Sequence, residues 1–319
     1  MSIWDSLRLR IVNRAESLVQ KARLIKLPFF DGEPLYDVAV FFWKSMVDGA
    51  ISTRASAIAF NFILAVFPAI IFLFTLIPFI PIDNFQQELF KLLQSILPQN
   101  AFAAIQVTIE DILKTKRGGF LSFGFLAAFI FATNGIVSVI AAFNGTIHAI
   151  ETRTWINQRF VALILAIILT LLMTISIALI TVSQTIMNYM VENGYLQKNL
   201  TYYLLPGGKW LVICALIFFA YAFLFYLAPA RKTKFKFISA GGTLATILTI
   251  ITTIVFSYYI NNFGKYNILY GSIGTLVVVM LSFYFNAFIL LIGFELNVSI
   301  WRSRRDNSDS NPFDESIDQ

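Results

Sequence analysis

The chain has 319 residues, 58% of them hydrophobic and 13% charged, with a formal net charge of +6. Soluble domains carry about a quarter of their residues charged, so this composition excludes the soluble class. One cysteine, Cys214, and one histidine, His148, exclude an internal disulfide and a cysteine metal cluster.

Several runs exceed the 18 or so apolar residues that mark a membrane helix. They are continuously apolar, whereas barrel strands would alternate. The expected fold is all-α and polytopic: six transmembrane helices, interfacial N-terminal helices and an outer helical cap. The N-terminus lacks the short apolar core and small-residue cleavage site of a secretory signal. Residues 1–30 instead set Ile3, Trp4, Leu7, Ile11, Leu18 and Ile25 among Arg8, Arg10, Arg14, Lys21, Arg23 and Lys26. That mixture reads as a basic amphipathic helix on an anionic leaflet, where apolar contact and charge attraction add. A basic tail without fixed structure is the alternative. After a break at Asp31-Gly32-Glu33-Pro34, where Pro34 suits a helix start, Leu35 to Ala50 reads as an interfacial helix leading into the membrane domain, residues 31–300.

The first span is expected over 55–80, with Arg54 at its mouth, Asn61 one to two turns in and Pro68 kinking it. Residues 82–117 form two short helical pieces split by Pro98, read as the outer cap. The second span, 120–143, carries Ala128, Ala132, Gly135, Ser138 and Ala142 at helical spacing, with Asn134 in its middle. A loop with Asn144, His148, Glu151 and Arg153 follows, with Arg159 just beyond. The third span, 160–187, repeats Thr170, Thr174, Thr181 and Thr185. A polar loop is expected at Pro206-Gly207-Gly208, then a fourth span over 210–227. Arg231, Lys232, Lys234 and Lys236 next place four cations within a few residues, suited to inner-leaflet phosphates. The fifth span, 237–260, aligns Gly242, Thr246, Thr249, Thr253 and Ser257. A short turn over 261–270 leads to the sixth span, 271–299, and residues 301–319 read as a disordered tail.

With both termini cytoplasmic, the inner segments hold 17 Lys and Arg and the outer loops 7 of the chain's 24. The positive-inside rule therefore favours that orientation.

Glu295 is the only carboxylate in the long apolar runs. A charge at that depth is costly and calls for a partner or a task. In the six-span topology Arg54 lies at the same inner level, which makes it the expected counter-ion; the alternative is that Glu295 reaches the headgroups while Arg54 snorkels alone. Thr275, Ser282, Asn286, Gly293 and Asn297 share one stripe of the last span, roughly opposite Glu295. Such stripes line polar paths, but they are also the ordinary packing surface of membrane helices. The amides of Asn61, Asn134 and Asn286 need partners wherever they are buried. No Walker A or HExxH sequence is present, and one histidine with scattered loop acids does not assemble a general acid–base pair.

Three stretches carry a family likeness. They are Arg54-Ala-Ser-Ala-Ile-Ala-Phe-Asn61 continuing to Phe67-Pro68; Asn134-Gly135 through Phe143-Asn144; and Asn262 through Tyr270-Gly271 to Gly293-Phe-Glu295-Leu-Asn297. Together they resemble the YihY/virulence factor BrkB family, long labelled ribonuclease BN-like. The likeness covers roughly residues 40–300; Ser282 departs from it, standing where the family often has Trp. The resemblance implies a six-span inner-membrane protein with roles in transport, including of lipid-like molecules, and in envelope resistance. It brings no established catalytic residues. Asn61, Pro68, Asn134, Asn144, Tyr270, Gly271, Gly293 and Glu295 are its matched positions. The leading expectation is a transporter or exporter of an amphipathic solute, contacting membrane lipids, without cofactor, metal or nucleic acid. A non-transporting membrane scaffold is the first alternative, and a ribonuclease the second.

Overall fold

Hydrocarbon offers no water to unpaired backbone amides, so an apolar chain satisfies them internally as helix. The computed structural model describes residues 25, 30, 32–76, 118–146, 154–193, 198–229, 237–262 and 264–309, and the elements among them are α-helices. In chain order they are α1 (Leu35–Asp48), α2 (Ile51–Leu76), α3 (Gly118–Asn144), α4 (Trp155–Glu192), α5 (Lys198–Leu227), α6 (Ala240–Asn262) and α7 (Gly264–Asp309). Within α3 to α7 lie five segments long and apolar enough to cross a membrane. Helices α1 and α2 pass the same test together, bent by 65°. The bend falls at Gly49 and Ala50, whose φ of 46° breaks the helical run. Pro68 lies inside α2.

The helices α2 to α7 form a closed ring: each packs on the next, α7 returns to α2, and α1 lies along α7. Each ring helix sends buried side chains inward, among them Ile58 (α2), Phe143 (α3), Leu165 (α4), Phe225 (α5), Ala245 (α6) and Leu291 (α7). The ring's outer face is apolar too, with Phe125, Ile167, Leu171, Leu179, Ile251 and Ile254 exposed. Large apolar side chains facing both inward and outward suit a bundle whose surroundings are lipid.

Three boundaries differ from the sequence expectation. The Pro206-Gly207-Gly208 stretch, expected as a loop, is helix within α5. The stretch stands at the edge of the apolar segment Gly207–Leu227, and the helix runs through it despite a propensity cost of about 3 kcal/mol for the proline and 1 for each glycine. The turn expected over 261–270 is also helical: α6 runs to Asn262 and α7 starts at Gly264, so Tyr270 and Gly271 sit in the second turn of the last helix. The tail expected to lose structure from Trp301 continues as helix to Asp309. An Arg302–Asp306 pair at 3.2 Å and Arg305 over the Trp301 ring at 5.8 Å support that extension. Ser303 also donates to Glu33 at 2.9 Å, tying the end of α7 to the start of α1. The basic segment 1–30, apart from Ile25 and Phe30, and the cap of 82–117 lie outside the described residues.

Candidate functional site

Glu295 projects from α7 into the ring and is fully buried. Arg54, one turn into α2, meets it: Nη2 donates to Oε1 at 2.6 Å. The second carboxylate oxygen accepts from Thr146 Oγ1 at 2.8 Å, and Arg54 Nη1 donates to the Ala142 carbonyl at 2.8 Å. The start of α2, the end of α3 and the body of α7 thus meet at one ion pair, and both carboxylate oxygens are bonded. Removing one member of such a pair leaves an uncompensated buried charge, at a cost of about 3–5 kcal/mol. Gly145 leaves room for the guanidinium stem; a Cβ there would lie 3.2 Å from Arg54 Cδ.

Beside this pair, Phe143 and Phe294 stack face to face at 3.9 Å between centroids, with Phe225 tilted against both at 5.8 and 6.2 Å. All three rings are fully buried. They close the interior of the ring directly next to the ion pair.

The other candidates separate. Asn144, at the end of α3, has both amide atoms buried without a partner. Asn61 donates to its own helix at Ala57 O, 2.9 Å, and across to Ser138 Oγ of α3 at 3.2 Å. Asn134 accepts from Arg159 of α4. Asn286 donates back to Ser282 O within α7 at 2.8 Å. Asn297 bridges α7 to the start of α6, accepting from Gly241 N–H at 2.8 Å and donating to Ser239 Oγ at 3.0 Å. Gly293 packs on Gly241 at the same crossing. Asn61, Asn134 and Asn286 therefore do not converge on one water-lined groove among the described residues. The hydroxyls of Thr174, Thr246 and Thr253 donate to carbonyls four residues back, as packing side chains do. Arg231, Lys232, Lys234 and Lys236, with His148 and Glu151, lie outside the described residues.

Thr146, Ser138 and Arg159 were not legible as partners from the sequence. Thr146 sits in a short polar stretch and Ser138 on a small-residue stripe. Arg159 opens an apolar run, and that was its only signal.

One concavity lies on the outer face between α2 and α3. It encloses about 350 Å³ and is lined by Phe62, Val66, Phe125, Phe129, Ala132 and Phe283 among others, all apolar. Gly135 underlies it, its hydrogen facing the Phe62 ring where a Cβ would stand 3.4 Å away.

A ring of apolar helices with an ion pair buried inside it defines an integral, polytopic, all-α membrane protein. Within that class the chain belongs to the family described as virulence factor BrkB, which it matches over residues 42–317. A ribonuclease-like protein of Bacillus subtilis, YfkH, is 26% identical over 82% of this chain and 94% of its own length. A UPF0761 membrane protein of Psychromonas ingrahamii is 24% identical over 86% of this chain and 91% of its own. Another, of Haemophilus influenzae, is 22% identical over 82% and 94%. No solved structure matches the chain.

Proposed function

We propose that the protein carries a lipid-like or amphipathic solute between leaflets of the bacterial inner membrane, with both termini cytoplasmic. The observation that carries this reading is the apolar groove between α2 and α3, about 350 Å³ in volume and open on the outer face of the ring. Its lining suits an acyl chain, and the Asn61–Ser138 bond one residue from Phe62 puts polar groups beside it. The packed rings of Phe143, Phe225 and Phe294 argue against an aqueous path along the ring axis, so the solute would travel along the protein–lipid boundary. The orientation rests on the excess of Lys and Arg in the inner segments, 17 against 7. The cations Arg231, Lys232, Lys234 and Lys236 would hold phosphates of that leaflet.

Reconstitution into vesicles with a fluorescent phospholipid tests it. Protein-containing vesicles should equilibrate the label between leaflets faster than empty ones. Equal rates would end the transport reading.

A scaffold for envelope machinery has its own support. The same aromatic seal, and an ion pair with both carboxylate oxygens bonded, suit a rigid bundle without a moving part. A ribonuclease, suggested by the printed name of the Bacillus relative, is the weakest reading: the chain has one histidine. Purified protein that cuts RNA, and stops on changing His148 or Glu151, would reinstate it.

A further inference from the structure

Arg54 and Arg159, near the starts of α2 and α4, are compensated differently. Arg54 is neutralised by Glu295. Arg159, in the first turns of α4 and inside the apolar segment Trp155–Ser176, has no carboxylate within ion-pair distance among the described residues. Its Nη1 donates to Asn134 Oδ1, its guanidinium carbon lies 5.4 Å from the centre of the Trp155 ring, and its Nε is buried without an acceptor. A neutral amide and an aromatic face orient a guanidinium, but they do not cancel its charge. A lone cation within an apolar span is costly, and such residues mark binding sites. The start of α4 adds to the positive field, since Thr154 at its N-cap makes no side-chain cap bond and the helix dipole points its positive end there. Trp155 and Phe160, either side of Arg159 in the chain, are exposed on the outer face.

We propose that Arg159, oriented by Asn134 and Trp155, is a binding site for an anionic phosphate, presented by a phospholipid headgroup whose chains lie against α4. With Nη1 held by Asn134 and Nε buried, the second Nη is the guanidinium nitrogen left to donate to a phosphate oxygen. The site is distinct from the α2–α3 groove and does not depend on whether that groove moves lipid.

Native mass spectrometry of the full chain, released from nanodiscs of mixed phosphatidylcholine and phosphatidylglycerol, reads the site directly. The wild-type chain should retain phosphatidylglycerol in preference to phosphatidylcholine. Arg159→Gln should lower that retention about tenfold or more, the usual weight of a charged hydrogen-bonded contact. Asn134→Asp should do the same with the arginine still present, because a carboxylate at that position fills the ion pair from within. Arg159→Lys should keep part of the preference, since a point charge remains without the fork. Inorganic phosphate added to the wild type separates the two sources: displacement of the lipid means that the site reads a free anion, and none means that it needs the chains. The proposal is overturned if the wild type shows no preference, or if Asn134→Asp retains phosphatidylglycerol like the wild type. Lipid scrambling measured on the same variants reports separately on the transport reading.

Discussion

Gly241 of α6 and Gly293 of α7 bring two helix backbones into direct contact. A Cβ built on Gly241 would stand 1.9 Å from the Gly293 carbonyl oxygen, and one on Gly293 2.6 Å from that of Gly241. Small residues at a crossing let membrane helices approach closely, where van der Waals contact replaces the absent hydrophobic drive. Both obstacles are backbone, which no rotamer change can move aside. Gly293→Leu should therefore separate α6 from α7 and cost about 3 kcal/mol, the upper range of overpacking. Thermal unfolding of detergent-purified protein checks it, with an unchanged midpoint as the contrary result.

The same crossing is held by a side-chain cap. Asn297 accepts from Gly241 N–H, while Ser239 Oγ accepts from Gly242 N–H at 3.1 Å. Asn297→Ala would leave the Gly241 donor buried and unpaired, at about 1–2 kcal/mol. Asn297→Asp keeps the acceptor and should preserve the Gly241 bond. Amide exchange at the start of α6 distinguishes the two variants: Ala should expose it and Asp should not.

Arg54 and Glu295 should show strong coupling. Arg54→Met alone leaves the carboxylate buried without its cation and should destabilise by about 3–5 kcal/mol. Arg54→Met with Glu295→Leu replaces the pair by apolar groups of similar size, and the double variant should lose less than either single change. Equilibrium unfolding of the three variants gives the coupling energy. Additive losses would mean that the two residues act independently.

Filling the α2–α3 groove separates transport from architecture. Ala132 lines it, and Ala132→Trp should occupy the space that an acyl chain would take. The reconstituted variant should move fluorescent phospholipid at close to the protein-free rate while its unfolding midpoint stays near that of the wild type. Unchanged lipid movement would place the path elsewhere on the molecule.

The apolar helices and the acid within the last of them were legible because both are one-dimensional quantities. Apolar length must match hydrocarbon thickness, and an acid within a run stands at a depth given by its residue number. Alternating span direction made Arg54 the expected partner of Glu295, with a separately snorkelling Arg54 as the alternative, and the structure pairs them. The roles of the amides were not legible in this way. Asn61, Asn134, Asn286 and Asn297 look equivalent along the chain, yet one meets a neighbouring serine, one an arginine, one its own helix and one the start of α6. Those outcomes depend on how each helix is rotated about its axis and how closely it crosses its neighbour. Contacts such as Gly241 on Gly293 set these angles across more than fifty residues of chain. The Pro-Gly-Gly stretch of α5 is another such case: local propensity favours a break, yet the helix runs through it from Lys198 into the apolar segment. Ring closure through α7 onto α2 is the remaining long-range result, and it alone brings the buried acid within reach of its arginine.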